Sequence, residues 1–263
     1  MLARRHRIRL QARGFSLVEL AVVMAIVAFL LGSLMFTLSA QTEQRNFEET
    51  RRRVEQAREL LLAFAIVKGR LPCPATATSL GDEAPSGGGS CTTYYGGWLP
   101  AAAIGFQQVD ASGYAIDAWG NRIRYAVAQN VTNCSGSSTL PHFTNSTNIR
   151  ANGISCQSND LLVCKSGSAS GLNAGASPPT CGASGANQIM ATGLVAAIVF
   201  STGKNGATGG AGTDEAQNLN NDALFVFHTP TPSTATNGEF DDQFTWITVG
   251  ELYGKLIAAG VLP

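Results

Sequence analysis

Nineteen consecutive residues, Leu20–Leu38, carry no ionisable group. As an α-helix such a run extends ~29 Å at ~1.5 Å per residue, the thickness of a bilayer's hydrocarbon core. Across the wider interval Phe15–Gln41 the one charged side chain is Glu19. A carboxylate in a membrane helix costs roughly 2.5–3.5 kcal/mol on insertion scales, so this one requires a partner.

The residues before the run, MLARRHRIRLQARG, hold Arg4, Arg5, Arg7, Arg9, Arg13 and His6 and no acid. Positive flanks stay in the cytoplasm, which sends the rest of the chain across the inner membrane. A secretory signal ends its apolar core in an A-x-A-like site, whereas here the small residue open to cleavage, Gly14, precedes the apolar run.

Basic leader, glycine and the stretch FSLVELAVVMAIVAFLL together resemble the class III signal of type IV pilins and type II secretion pseudopilins. The resemblance implies a leader peptide, residues 1–14, cut after Gly14 by a prepilin peptidase that N-methylates Phe15 as the new first residue. It implies partners as well: other pilins or pseudopilins in a homo- or hetero-oligomeric filament, and an inner-membrane assembly platform driven by a cytoplasmic ATPase. Glu19 then becomes the assembly residue. It lies one helical turn from the Phe15 amine, so the anion of one subunit can meet the cation of the next. Docking is favoured in the axial register that satisfies both charges. An uncleaved single-pass anchor is the alternative.

Residues 15–40 form the transmembrane half of the expected N-terminal helix, and residues 41–69 continue it as an amphipathic half. Phe47, Val54, Ala57, Leu61 and Phe64 or Ala65 mark one stripe at helical spacing. Charged residues from Glu48 to Glu59 fill the other faces, with Arg51, Arg52 and Arg53 offset by glutamates at i,i+4 spacing. Gly69, followed by Leu71-Pro72, ends the helix: glycine takes a left-handed cap and proline cannot continue the ladder.

Residues 70–263 are expected to fold as the periplasmic or extracellular body, with a polar, cysteine-rich insertion at about 129–190 too poor in apolar residues to build its own core. The first part, to about residue 118, is loop-rich. Strands are expected at Arg122–Ala128, 194–202, Ala223–Thr229 and Phe244–Thr248, and a short helix at the C-terminus. The preceding Asp117-Ala118-Trp119-Gly120-Asn121 resembles the aspartate-x-tryptophan-glycine-asparagine turn of major pseudopilins, with Trp119 packing under the turn. The fold class is thus α+β: a long N-terminal helix, its first half membrane-spanning, laid on a small antiparallel sheet in the manner of pilins.

The segment Asn237–Gln243 is acidic and turn-forming, with Glu239, Asp241 and Asp242. Clustered carboxylates in an irregular loop suit a hard cation, and a solvated turn is the alternative. Major pseudopilins bind calcium in the corresponding loop, so the resemblance implies calcium at Glu239, Asp241 and Asp242, with Asp214, Glu215 and Asp222 as further ligands. No other cofactor is called for. Cys73, Cys91, Cys134, Cys156, Cys164 and Cys181 all lie beyond the membrane, and an even number in an oxidising compartment reads as three disulfides. Cys73–Cys91 would close the first loop and the other four staple residues 134–181.

Catalytic signatures are absent: there is no G-x-S-x-G or H-E-x-x-H, and Gly203-Lys204 lacks the phosphate-loop spacing. Neither His142 nor His228 has a recognisable sequence partner. Removing the leader's five arginines leaves thirteen basic against eighteen acidic residues, a formal net charge of −5. That balance does not suit a nucleic-acid coat. The sequence therefore describes a non-enzymatic filament subunit, a pseudopilin or minor pilin. A membrane-tethered surface binder or adhesin is the alternative.

Overall fold

The computed structural model describes residues 16–130, 141–176, 178–183, 185–210 and 212–262, without the side chains of residues 33–38. Gly14, Phe15 and Cys134 lie outside the described residues. The chain divides into two compact units, one ending at Arg45 and the other beginning at Asn46. Helix α1, Leu17–Lys68, is unbroken across that boundary. It stops at Gly69, whose φ of +69° is the left-handed conformation that only glycine enters without strain.

In the first unit the described apolar side chains of α1 are open to solvent, Leu17 at 86% and Phe29 at 78% exposure. In the second, the helix buries the stripe read from its sequence: Val54, Ala57, Leu61 and Ala65 enter the main core, while Phe47 is half-buried.

The body continues through β1 (Gly97–Trp98), α2 (Ala101–Ile104), β2 (Arg124–Val127), α3 (Ser146–Asn152), β3 (Leu162–Cys164), β4 (Leu172–Asn173), β5 (Thr180–Cys181), β6 (Gln188–Met190), β7 (Val195–Ser201), α4 (Thr213–Asn218), β8 (Leu224–Val226), β9 (Gln243–Thr248) and α5 (Val249–Ala258). The main sheet is antiparallel with order β1-β2-β7-β9. Strand β7 is apolar almost throughout because it is central and buried along its whole length. With the α1 stripe and Leu252 and Leu256 of α5 it forms one core. Arg58 of α1 holds the sheet edge by donating to the Trp246 carbonyl at 3.1 Å and pairing with Glu251.

A second sheet has order β6-β3-β8, and its β3–β8 pair is parallel, which a wholly antiparallel expectation did not include. The reason is topological: β7 and α4 intervene in the chain, so β8 returns beside β3 in the same direction. Strands β4 and β5 form a separate two-stranded ladder.

Among the described residues of 129–190, several apolar side chains join the cores of the body. Phe143, Ile149, Leu161 and Val163 enter the main core. Leu162, Cys164 and Cys181 form a smaller cluster with Leu224, Val226 and Phe240. The segment's few apolar residues suffice because β8 and Phe240 supply the rest of that cluster.

Disulfides join Cys73 to Cys91 and Cys164 to Cys181. Cys156 is also disulfide-bonded. Glu83, within the first of these loops, and Arg70, just before it, are both buried and form a two-pronged ion pair at 2.6 and 2.8 Å. The Glu83 carboxylate also accepts the backbone N–H groups of Cys73 and Gly87, which compensates its burial.

Candidate functional site

At its N-terminal end α1 is capped by its own sequence. Ser16 Oγ accepts the Glu19 N–H at 3.2 Å, and Glu19 Oε2 accepts the Ser16 N–H at 3.4 Å. This is a capping box, S-x-x-E, in which two backbone donors at the helix start are satisfied reciprocally. The charge read from the sequence as needing a partner thus has a local one, and the carboxylate remains exposed.

Farther along, α1 grips the Asp117–Asn121 turn. Arg53 donates to the carbonyls of Ile116 and Asp117, Thr50 Oγ1 accepts the Ala118 N–H, and Phe47 packs on Trp119. The buried Asp117 carboxylate shapes the turn by accepting from Trp119 N and Asn121 N, and from Ser201 Oγ at 2.6 Å. Asn121 in turn donates to the Gly203 carbonyl at 2.7 Å.

Gly203 opens the acidic site. Its φ is +61°, and a Cβ there would stand 1.9 Å from Asp241 Oδ1, so the close approach needs glycine. Carboxylate oxygens of Glu215, Asp241 and Asp242, all buried, lie within 4.8 Å of one another. Asp241 Oδ2 accepts the Lys204 N–H at 2.9 Å, while Oδ1 is buried and makes no hydrogen bond. Glu215 accepts from Asn205 Nδ2 and from the Asp241 N–H, and Asn218 Nδ2 donates to Asp242 Oδ2. Burial, with the Glu215 carboxylate beside it, pushes Asp241 up to about 7. Burial likewise pushes Asp242 well above the usual carboxylate range, against the bond from Asn218.

Such an arrangement fits a hard cation: oxygen donors only, crowded negative charge, and one buried oxygen with no hydrogen-bond donor. Of the carboxylates singled out in the sequence, the structure unites Asp241 and Asp242 with Glu215. Glu239 stands outside that group, half-buried, and adds its charge to the field on Asp241. Asp214 binds His228, Asn237 and the insertion instead. Asp222 closes its own turn, accepting from Leu224 N and Asn220 Nδ2. Asn205, whose buried Oδ1 is also unpartnered, joins the site unannounced by its sequence, the only hint being an Asn-Gly turn after a buried strand.

Residues 9–35 match the family described as the prokaryotic N-terminal methylation motif. The chain carries the signal of type IV pilins and pseudopilins. No curated protein and no solved structure matches it. The pilin signal implies processing by a prepilin peptidase and assembly with other pilin subunits, and the family it defines is structural rather than catalytic. Among the described residues no helix is long and apolar enough to cross a membrane. The apolar run of the pilin signal, Leu20–Leu38, includes residues 33–38, whose side chains lie outside the described residues.

Proposed function

We propose that the protein is a pseudopilin or minor pilin, a structural subunit of a type IV pilus or type II secretion-like filament. The observation that carries this reading is the methylation motif at residues 9–35, most of which lies in the first part of a 52-residue helix whose C-terminal part is built into a folded body. The precursor sits in the inner membrane through Leu20–Leu38, with its N-terminus in the cytoplasm and its body in the periplasm. Cleavage after Gly14 and N-methylation of Phe15 prepare it for extraction by the assembly platform.

In the filament, the exposed apolar side chains of α1 exchange lipid for neighbouring helices. Glu19 exchanges its bond with Ser16 for the Phe15 amine of another subunit, neutralising two charges that would be costly in apolar surroundings. The carboxylates of Glu215, Asp241 and Asp242, with Asn205, would hold calcium, which supplies the positive charge that site lacks and ties the loops after β7 and before β9 to α4.

Intact mass and N-terminal sequencing of protein from membranes and from sheared filaments test this reading. A start at N-methylated Phe15, with material in the sheared fraction, is expected. An intact Met1 confined to the membrane would overturn it and favour a tethered surface binder.

A further inference from the structure

The cysteine-rich insertion and the acidic loop share a helix. Neighbouring residues of α4 point into the two regions, Asp214 into one and Glu215 into the other. Asp214 is 2% exposed, and both of its oxygens are occupied. Oδ1 accepts the Gly167 N–H at 2.6 Å and Ser166 Oγ at 3.2 Å, both just beyond Cys164. Oδ2 accepts Asn237 Nδ2 at 3.0 Å and faces His228 Nε2 at 3.1 Å. Asn237 also donates to Ser166 Oγ and accepts from Ser168 Oγ, so the insertion is held twice.

Asn218, one turn after Asp214, makes the second link. Its Nδ2 donates to Asp242 Oδ2 and to the Val226 carbonyl, and its Oδ1 accepts the Val226 N–H. Val226 is the parallel partner of Cys164. Phe240, immediately before Asp241, lies in the cluster that contains the Cys164–Cys181 bridge.

We propose that α4 fastens the insertion to the body when a divalent cation is held by Glu215, Asp241 and Asp242, with Asp214 as the positioning residue that transmits the attachment. The proposal rests on the cation reading above. Ionising all three crowded carboxylates with no cation between them sets their charges against one another, which weakens the hold of Glu215, and of α4 with it, on the loop bearing Asp241 and Asp242. A cation reverses that effect. Because α4 is a short rigid turn, Asp214 moves with Glu215 and its four hydrogen bonds to the insertion and its neighbours tighten or loosen together.

Hydrogen exchange of the full chain in detergent, with calcium chloride or with a chelator, tests the coupling. Peptides covering 203–206 and 240–243 report the cation site, and peptides covering 161–176 report the insertion. Calcium is expected to slow exchange at least fivefold in both regions of the unaltered protein. In Asp214→Asn the cation-site peptides should keep that response and the insertion peptides should lose it. Should Asp214→Asn also lose protection across β7, Ser166→Ala, which removes a hydroxyl bonded to Asp214 and Asn237, takes its place and should at least halve the insertion response; an undiminished response counts against the coupling. Slowing at the cation site with none in the insertion overturns the coupling alone. No slowing in either region overturns the cation reading and this proposal with it.

Discussion

Phe47 meets the indole of Trp119 edge-on, with ring centroids 4.9 Å apart and planes at 83°. The contact joins the first turn of α1 within the body to a turn that is itself hydrogen-bonded to the loop after β7. Edge-to-face pairs contribute ~0.5–1.5 kcal/mol beyond the area they bury. A double-mutant cycle with Phe47→Ala and Trp119→Ala, read by urea unfolding of the detergent-solubilised chain, should therefore give a coupling of about 1 kcal/mol. Additive effects would mean that the rings pack independently.

Glu19 has two partners available to it, Ser16 in its own helix and a neighbour's amine in a filament. Glu19→Ala should leave the protein in the membrane and reduce its recovery in sheared filaments at least tenfold. Ser16→Ala removes only the cap, which costs about 1 kcal/mol at one helix end, so filament recovery should fall by far less. Equal losses in the two variants would place the role of Glu19 in capping.

His142 is fully buried, and its Nε2 lies 2.7 Å from Tyr253 Oη, which donates onward to the Cys156 carbonyl. The Tyr253 hydroxyl is thereby committed as a donor, so Nε2 carries the imidazole proton and Nδ1 is left buried without a partner. Burial lowers the group to about 4 from an ordinary 6.5. The unfolded chain takes up a proton below 6.5 and the folded one does not. The resulting stability is complete above pH 6.5 and is lost as pH falls toward 4, by about 3 kcal/mol at most. His142→Phe should flatten the dependence of urea stability between pH 7 and 4.5; an unchanged slope would assign the acid sensitivity to other groups.

Calcium should raise the melting temperature of the unaltered chain, increasingly with concentration, as mass action requires. Asp241→Asn should abolish most of that shift while slightly stabilising the cation-free protein, since it removes a buried charge that Glu215 disfavours. Protons compete for the same oxygens. With Asp241 raised to about 7, the calcium-induced shift should shrink as pH falls below that value. A shift that persists in Asp241→Asn would place the binding elsewhere.

Periodicity made α1 legible, because its apolar stripe and its Gly69 stop are local signals. The unbroken apolar run made β7 legible for the same reason. The β3–β8 pairing was not legible: β3 is three residues long, and its parallel partner comes only after β7 and α4. Asp241 and Asp242 were visible as adjacent carboxylates. That Glu215 rather than Glu239 shares their pocket depends on where α4 docks, and the roles of Asn205 and Asn218 depend on hydrogen bonds that composition does not announce.

The parallel pairing of β3 with β8 also sets an order of events. A chain emerging from its N-terminus presents α1, β2 and most of the body's first half before β8 exists. Until β8 arrives, Leu162 and Cys164 lack the neighbours that bury them, and non-local pairing is the slow part of folding. The insertion therefore closes late, with only β9 and α5 still to come, and a chain truncated before Leu224 should leave its cysteines open to the wrong partners while the long helix is already formed.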